Sequence, residues 1–258
     1  MLQWQVPAQT DGFNLASVDP ASTPDVPGDE EATTAAFKDL RKELIDAQER
    51  LYAEDKQSLL VVIQAIDGGG KDGTIKNVFK GVNPQGCRVA SFKKPSEEEL
   101  AHDFLWRVHK VTPKRGEIGV FNRSHYEDVL VVRVHDLVPE PVWQERYDII
   151  NDFEHNLSQA GTRIVKLFLH ISKDEQQRRF EKRQENPSKR WKYKPEDEEE
   201  RKYWDDYQAA FGDAIAQTST DAAPWYVVPA NHKWYRDWVV ATILTTTVAA
   251  MDPQYPAE

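Results

Sequence analysis

Between Ala65 and Thr74 the chain reads AIDGGGKDGT, with an apolar run before it and a helical pattern, Ile75 to Phe79, after it. Gly68, Gly69 and Gly70 let backbone N–H groups come close to a phosphate, and the start of a helix adds a favourable dipole. Lys71 supplies a point charge, and Asp72, Gly73 and Thr74 carry the turn into the helix. These are the parts of a phosphate cradle, but the strict P-loop pattern is incomplete. Ala65 stands where its first glycine belongs, and Asp72 replaces the Ser or Thr that follows the lysine. The usual hydroxyl ligand for magnesium is therefore missing, and Asp67, at the end of the apolar run, is the candidate to take the ion directly or through water. The bland alternative is a glycine-rich turn without a ligand.

A second constellation, GVFNRSHYED from Gly119 to Asp128, is an apolar strand that ends in polar residues before another helical pattern. Ligands of open α/β sheets bind outside the carboxyl ends of strands, so Asn122 and Arg123 fall where Asp67 and Lys71 do. Arg123 can face phosphate and Glu127 sits one turn into the next helix, whereas His125 reads as structural. A capped helix start with a surface arginine is the rival reading. The third group is the basic run Arg178 to Lys194, broken by Asn186 and Pro187. Arginines in a closing segment stabilise the charge on a transferring phosphoryl group, although Trp191 and Tyr193 also suit single-stranded nucleic acid, and a solvated helical face is the plain reading. Lys80, Arg88, Lys93 and Lys94 form a fourth basic group, a track that suits a long polyphosphate better than a compact nucleotide.

Five β-branched runs must position these residues: Leu59–Ile66, Arg88–Phe92, Ile118–Phe121, Ile164–Ile171 and Trp225–Val228. Most are apolar on both faces and separated by helical segments, which implies a parallel sheet between two helical layers, a three-layer α/β/α fold. Helical spacing of Phe37, Leu40, Leu44, Ile45, Ala47 and Leu51 predicts an amphipathic helix over Thr34–Ala53. Lys173–Gln217 is charged, helical and broken at Asn186, Pro187 and Pro195, as a lid would be, with the lid proper at about 178–200. Residues 1–32, with Pro7, Pro20, Pro24 and Pro27 and few large apolar residues, are expected to be a mobile arm before a domain spanning 33–258.

A net charge of -10 argues against nucleic-acid binding through a broad basic surface, so any polyanion must be met locally. Cys87 is the single cysteine, which excludes an internal disulfide and fits a reducing compartment. Met1 to Trp4 carry no basic leader, and the apolar stretch Trp238–Met251 is too short for the ~20 residues of a bilayer span. A cytoplasmic protein without membrane contact is expected.

Together AIDGGGKDGTIK (Ala65–Lys76), VFNRSHYEDVLVVRVH (Val120–His135) and RRFEKRQENPSKRWKYKPED (Arg178–Asp197) resemble the type-two polyphosphate kinase family, over about Arg41 to Trp238. The resemblance implies that these blocks are the Walker A motif, the Walker B region and the lid of a P-loop kinase fold similar to thymidylate kinases. It places Asp67, Lys71, Arg123 and Arg183 on positions for metal, phosphate and lid chemistry. Asn122, Arg123, Glu127, Arg178 and Arg183 are the candidates for the nucleotide side. Many members carry Asp-Arg-Ser-Trp-Tyr where this chain has Asn122-Arg123-Ser124-His125-Tyr126. With Glu127, this looks like the subgroup, called class III, that phosphorylates both AMP and ADP. Magnesium dependence and a homo-oligomer, dimer or tetramer, are further implications. The expected activity is reversible transfer between inorganic polyphosphate and AMP, ADP or ATP. An ATP-dependent nucleotide or small-molecule kinase of the same fold is the alternative, and a non-catalytic polyanion-binding module is the other.

Overall fold

A computed structural model of the chain describes residues 2–8, 13–188, 190–192 and 195–256. Helix α1 spans Glu30–Glu54, starting four residues before the predicted Thr34 because the Asp29 side chain accepts the Ala32 amide and Glu30 and Glu31 suit the positive helix end. It stops at Asp55, whose backbone is left-handed. Its buried face carries Phe37, Leu44, Ala47 and Leu51.

All five expected strands form: β1 Ser58–Gln64, β2 Cys87–Ser91, β3 Ile118–Asn122, β4 Thr162–His170 and β5 Trp225–Pro229. They make one parallel sheet in the order β2-β3-β1-β4-β5. Alternation along β1 sends Leu59, Val61 and Ile63 into one core and Leu60 and Val62 into the other. The first core is closed by α1, by α2 (Lys71–Val78) and by α10 (Lys233–Met251). The second is closed by α5 (Glu127–Val134), α6 (Glu140–Gln159) and α9 (Trp204–Thr218). Both faces are therefore covered, as parallel strands require. β2 is the exception: it lies at an edge, and Arg88, Val89 and Ser91 are exposed.

Short helices α3 (Glu97–Leu100) and α4 (Trp106–His109) join β2 to β3. After β4, helix α7 (Lys173–Glu185) starts at Ser172, whose hydroxyl accepts the Glu175 amide. The predicted break falls at Asn186, and α8 (Pro195–Glu200) leads back through a short 3₁₀ turn into α9. No helix among the described residues is long and apolar enough to cross a membrane.

The expectation of a mobile N-terminal arm is corrected. Gln5 bridges Tyr226 at the free edge of β5, the Val6 amide donates to the Trp225 carbonyl, and the Val227 amide donates to the Trp4 carbonyl. Trp4 is buried and donates to the Tyr235 hydroxyl, while Val6 and Leu15 reach the second core. Proline and acid content hid three well-spaced anchors, and the open edge of β5 gave them backbone partners.

Candidate active site

The chain leaves the central β1 toward β2 and β3 on one side and toward β4 and β5 on the other. The crevice at the carboxyl ends of β1 and β3 is the switch point where α/β sheets bind ligands. From β1 the chain turns through Ala65–Gly70 into α2. Gly68 and Gly70 have φ of 84° and 101°, and a Cβ on Gly69 would lie 2.4 Å from that of Ala65. The loop thus needs glycine for its shape. Lys71 folds back so that Nζ donates to the Ala65 carbonyl at 2.7 Å. Burial and the Arg123 guanidinium bring its ammonium down to about 8, against the pull of Asp67, Glu127 and Asp72. A cation this poorly solvated gains when a polyanion arrives.

At the end of β3, Arg123 holds a left-handed backbone, φ 60°, with its amide donating to the Ile63 carbonyl. Non-glycine residues rarely adopt that shape, and such strain gathers at working sites. It aims Nη2 at Asp67 Oδ1, 2.5 Å away, and brings Nη1 within 3.7 Å of Glu127 Oε2. Burial acts to raise the Asp67 carboxyl, but Arg123, Lys71 and Arg183 overrule it and hold Asp67 below its usual range. Asn122 Nδ2 donates to Asp72 Oδ1 at 2.9 Å, so the two departures from the expected motifs meet each other. His125 is fully buried with Nε2 3.2 Å from Glu154 Oε1, in keeping with a structural role.

Across the cleft, Trp204, Tyr207 and Phe211 of α9 line a pocket with Asp67, Arg123 and Glu127 on its other wall. Tyr207 donates to Glu200 Oε2 at 3.1 Å, and Arg201 reaches Gln176 Oε1 at 3.3 Å. The rings and the charges meet in a narrow crevice of about 40 Å³, with Trp204 and Phe211 largely buried. The sequence model of the polyphosphate kinase 2 family matches residues 28–256. The chain belongs to the polyphosphate kinase 2 family.

An AMP/ADP-polyphosphate phosphotransferase of Meiothermus ruber is 55% identical over 249 residues, covering 96% of this chain and 93% of that protein. An ADP-polyphosphate phosphotransferase of Rhodopseudomonas palustris is 47% identical over 225 residues, with 83% and 78% covered. The crystal structure of polyphosphate kinase 2 from Arthrobacter aurescens TC1 superposes with a TM-score of 0.95 at 44% identity, covering 99% of this chain and 90% of that one. The three-layer kinase architecture expected from the strand pattern is thus that of solved polyphosphate kinase 2 structures.

Within this polyphosphate kinase 2 fold the expected site residues do not all converge. Asp67, Lys71, Arg123 and Glu127 share the cleft, and Arg183 is near enough to lower the Asp67 carboxyl while its Nη1 stands 3.9 Å from Asp197 Oδ2. Arg178 points outward, half-exposed and bound to Glu175 at 2.5 Å. Lys93 and Lys94 lie exposed just past β2, where the Lys93 carbonyl accepts Arg107 Nη1 at 2.9 Å. Lys80 does not join them: it follows the far end of α2, ~12 Å of helix from the loop, and lines a shallow basic cleft with Lys38, Arg41 and Lys42. Lys189, Tyr193 and Lys194 fall outside the described residues.

Among the described residues no group of three or more His, Cys, Asp or Glu is placed to hold a metal. A magnesium ion carried in by phosphates does not need one, since it commonly keeps several waters and one or two carboxylates. The ionised Asp67 fits that part, with Glu127 on the same wall.

Sequence reasoning missed Gln176, Arg179 and Arg236. Arg179 is buried and donates to the Gly68 and Gly69 carbonyls at 2.9 and 3.0 Å, and Gln176 donates to the Asp67 carbonyl at 2.6 Å. Helical spacing was the available signal: 176, 179, 180 and 183 share one face of α7. Arg236 is buried and paired with Asp237 at 2.6 Å, and a Cβ on Gly70 would meet its Nη1 at 2.3 Å. Nothing local in Trp234–Trp238 signals that approach.

Proposed function

We propose that this protein transfers phosphoryl groups from inorganic polyphosphate to AMP and ADP, reversibly, giving ADP and ATP. The carrying observation is the Asp67–Arg123–Glu127 arrangement, which joins the phosphate loop to the aromatic pocket across one cleft. The 55% identity to an AMP/ADP-polyphosphate phosphotransferase along nearly the whole chain supports the acceptors.

In this reading a phosphate oxygen of the nucleotide attacks the terminal phosphorus of the polyphosphate in line. The new P–O bond forms as the bond to the bridging oxygen breaks, and the shortened polyphosphate leaves with that electron pair. Loop amides and Lys71 hold the donor phosphates, and the positive charge of Lys71 offsets what develops on the bridging oxygen. Arg123, fixed by Asp67, faces the migrating group, while Arg183 of the lid, about 178–200, adds charge and excludes water as the cleft closes. Asp67 would hold magnesium, which would supply further neutralisation of the phosphate charge. Glu127 orders water on the acceptor side, Trp204 and Tyr207 flank the base, and Lys93 and Lys94 guide the chain. A cytoplasmic homo-oligomer completes the reading, and light scattering on the purified protein checks its size.

The deciding experiment supplies magnesium and long-chain polyphosphate with AMP or ADP separately and resolves the nucleotides by chromatography. ADP from AMP and ATP from ADP are expected. Turnover of an acceptor with ATP and none with polyphosphate would favour the ordinary kinase.

A further inference from the structure

A phosphate loop presents its amides to a ligand only if its carbonyls are held elsewhere. Here each carbonyl from Ala65 to Gly70 has a partner. Ala65 accepts Lys71 Nζ, Ile66 accepts the Gly69 amide, and Gly70 accepts the Thr74 amide, at 2.7, 2.9 and 3.0 Å. The other three are held from outside the loop: Asp67 by Gln176, and Gly68 and Gly69 by Arg179. Both side chains come from α7, the helix that begins the lid.

Arg179 is used on every side. Nη2 donates to the Ala230 carbonyl at 2.5 Å and to that of Asn231 at 3.3 Å, and Nε donates to Glu175 Oε1 at 2.6 Å. Asn231 in turn fixes the start of the same helix. Its Oδ1 accepts the Ser172 amide at 3.0 Å, and its Nδ2 donates to the Ser172 hydroxyl at 3.2 Å, the hydroxyl that caps α7. The Asn231 amide donates to the Pro20 carbonyl at 3.0 Å, which ties the docked N-terminal segment to the same point. The turn after β5 is therefore where the lid helix, the phosphate loop and the N-terminal segment are joined.

We propose that Arg179 and Asn231 are positioning residues for phosphoryl transfer: they couple the base of the lid helix to the phosphate loop, so that the loop amides keep their aim as the lid moves. The inference rests on the transfer reading above. Arginine suits the task because its planar fork reaches several carbonyls at once in a fixed geometry. Neither side chain lines the pocket beside Asp67, Arg123 and Glu127, so its effect is expected to pass through the loop.

The test uses the full-length chain with Arg179→Ala and, separately, Asn231→Ala. Three quantities are read beside a thermal melt: kcat with polyphosphate and ADP, tripolyphosphate affinity by calorimetry, and hydrogen exchange of residues 65–73 and of the first turn of α7. For Arg179→Ala the expected result is a kcat lower by roughly 10- to 100-fold, weaker tripolyphosphate binding and faster exchange in the loop. Millimolar guanidinium should restore part of kcat while equal sodium chloride does not. For Asn231→Ala, which leaves Arg179 intact, kcat should fall less, with faster exchange at the start of α7. If Arg179→Ala does not fold, Asn231→Ala carries the test alone. A folded variant with kcat, tripolyphosphate affinity and loop exchange all within twofold of the parent overturns the coupling, as does a loss that tracks the melting temperature alone. A parent protein that binds tripolyphosphate but turns over no nucleotide would remove the transfer reading. Calorimetry and exchange would still decide whether Arg179 and Asn231 hold the loop.

Discussion

Replacing Lys71 with methionine keeps the aliphatic stem and removes the charge, and the structure sets opposite signs for its effects on activity and on stability. Burial and Arg123 bring the ammonium from 10.5 to about 8 in the folded protein. That difference corresponds to ~3 kcal/mol of folding free energy forgone at neutral pH. The sign follows from proton counts. Below about 8 both states hold the proton and the cost is full. Between about 8 and 10.5 the unfolded chain holds more protons, so the stability of the free protein rises with pH through that window. Methionine removes the cost but leaves the Ala65 carbonyl without its donor, a loss of ~1–3 kcal/mol. The variant should then melt no lower than the parent at pH 7 and lose this group's rise above pH 8. Activity moves the other way, because removing one preorganised electrostatic group costs about 10²- to 10³-fold in kcat. In the parent, kcat/KM for polyphosphate should fall as pH rises through about 8, where free Lys71 loses its proton. The assays are nucleotide chromatography from pH 6.5 to 9.5 and thermal melts over the same range. A folded Lys71→Met protein with near-parental kcat would refute the loop as the phosphate site.

Asp67→Asn should raise the magnesium needed for half-maximal rate more than it weakens nucleotide binding, and unchanged half-saturation and maximal rate would end its metal role. Lys93→Ala combined with Lys94→Ala should raise the KM for long polyphosphate and flatten its salt dependence, because exposed cations act through screened attraction; a change confined to nucleotide KM would place them on the other ligand. Glu127→Gln, uncharged and nearly isosteric, should depress kcat/KM for AMP more than for ADP, since AMP brings fewer phosphates to organise metal and water. Equal losses for both acceptors would return Glu127 to the plain role of an acid in the first turn of α5, favoured by the helix dipole.

Local chemistry made the sheet and the two strand-end motifs legible. Strand runs of Val, Ile and Leu bounded by glycine and polar turns permit few other readings, and all five formed within three residues of their expected limits. The cleft that brings Asp67, Lys71, Arg123 and Glu127 together was legible because each lies within seven residues of a strand end. Long-range partners carry no such mark. Arg179 looks like its neighbour Arg178 in the sequence, yet one is buried against four carbonyls and the other is half-exposed on Glu175. Helical rotation of ~100° per residue makes the difference. Lys80 misled for a related reason, because closeness in sequence to a phosphate loop does not survive two turns of helix. The docked segment around Trp4 was missed because its anchors are few and its partner, the edge of β5, lies at the opposite end of the chain.

The meeting of Asn122 and Asp72 bears on where the metal charge must sit. Their side chains touch at 2.9 Å, amide nitrogen to carboxylate oxygen. A carboxylate at position 122 would set two negative groups at that distance, an arrangement that holds only with a proton or a cation between them. The amide satisfies Asp72 by donating a hydrogen bond and asks for no ion there. Arg123, the next residue, is turned by its left-handed backbone away from Asp72 and onto Asp67. The two contacts are thus separate: a neutral amide on Asp72 at the helix start, and the Arg123–Asp67 ion pair at the loop mouth. Arg123 also lies within ion-pair distance of Glu127, so one guanidinium serves two acids. Lys71 adds its charge to both acids, and Arg183 adds its own to Asp67. Position 122, an amide, offers no carboxylate there, and Asp67 at the loop mouth is the group proposed to hold magnesium.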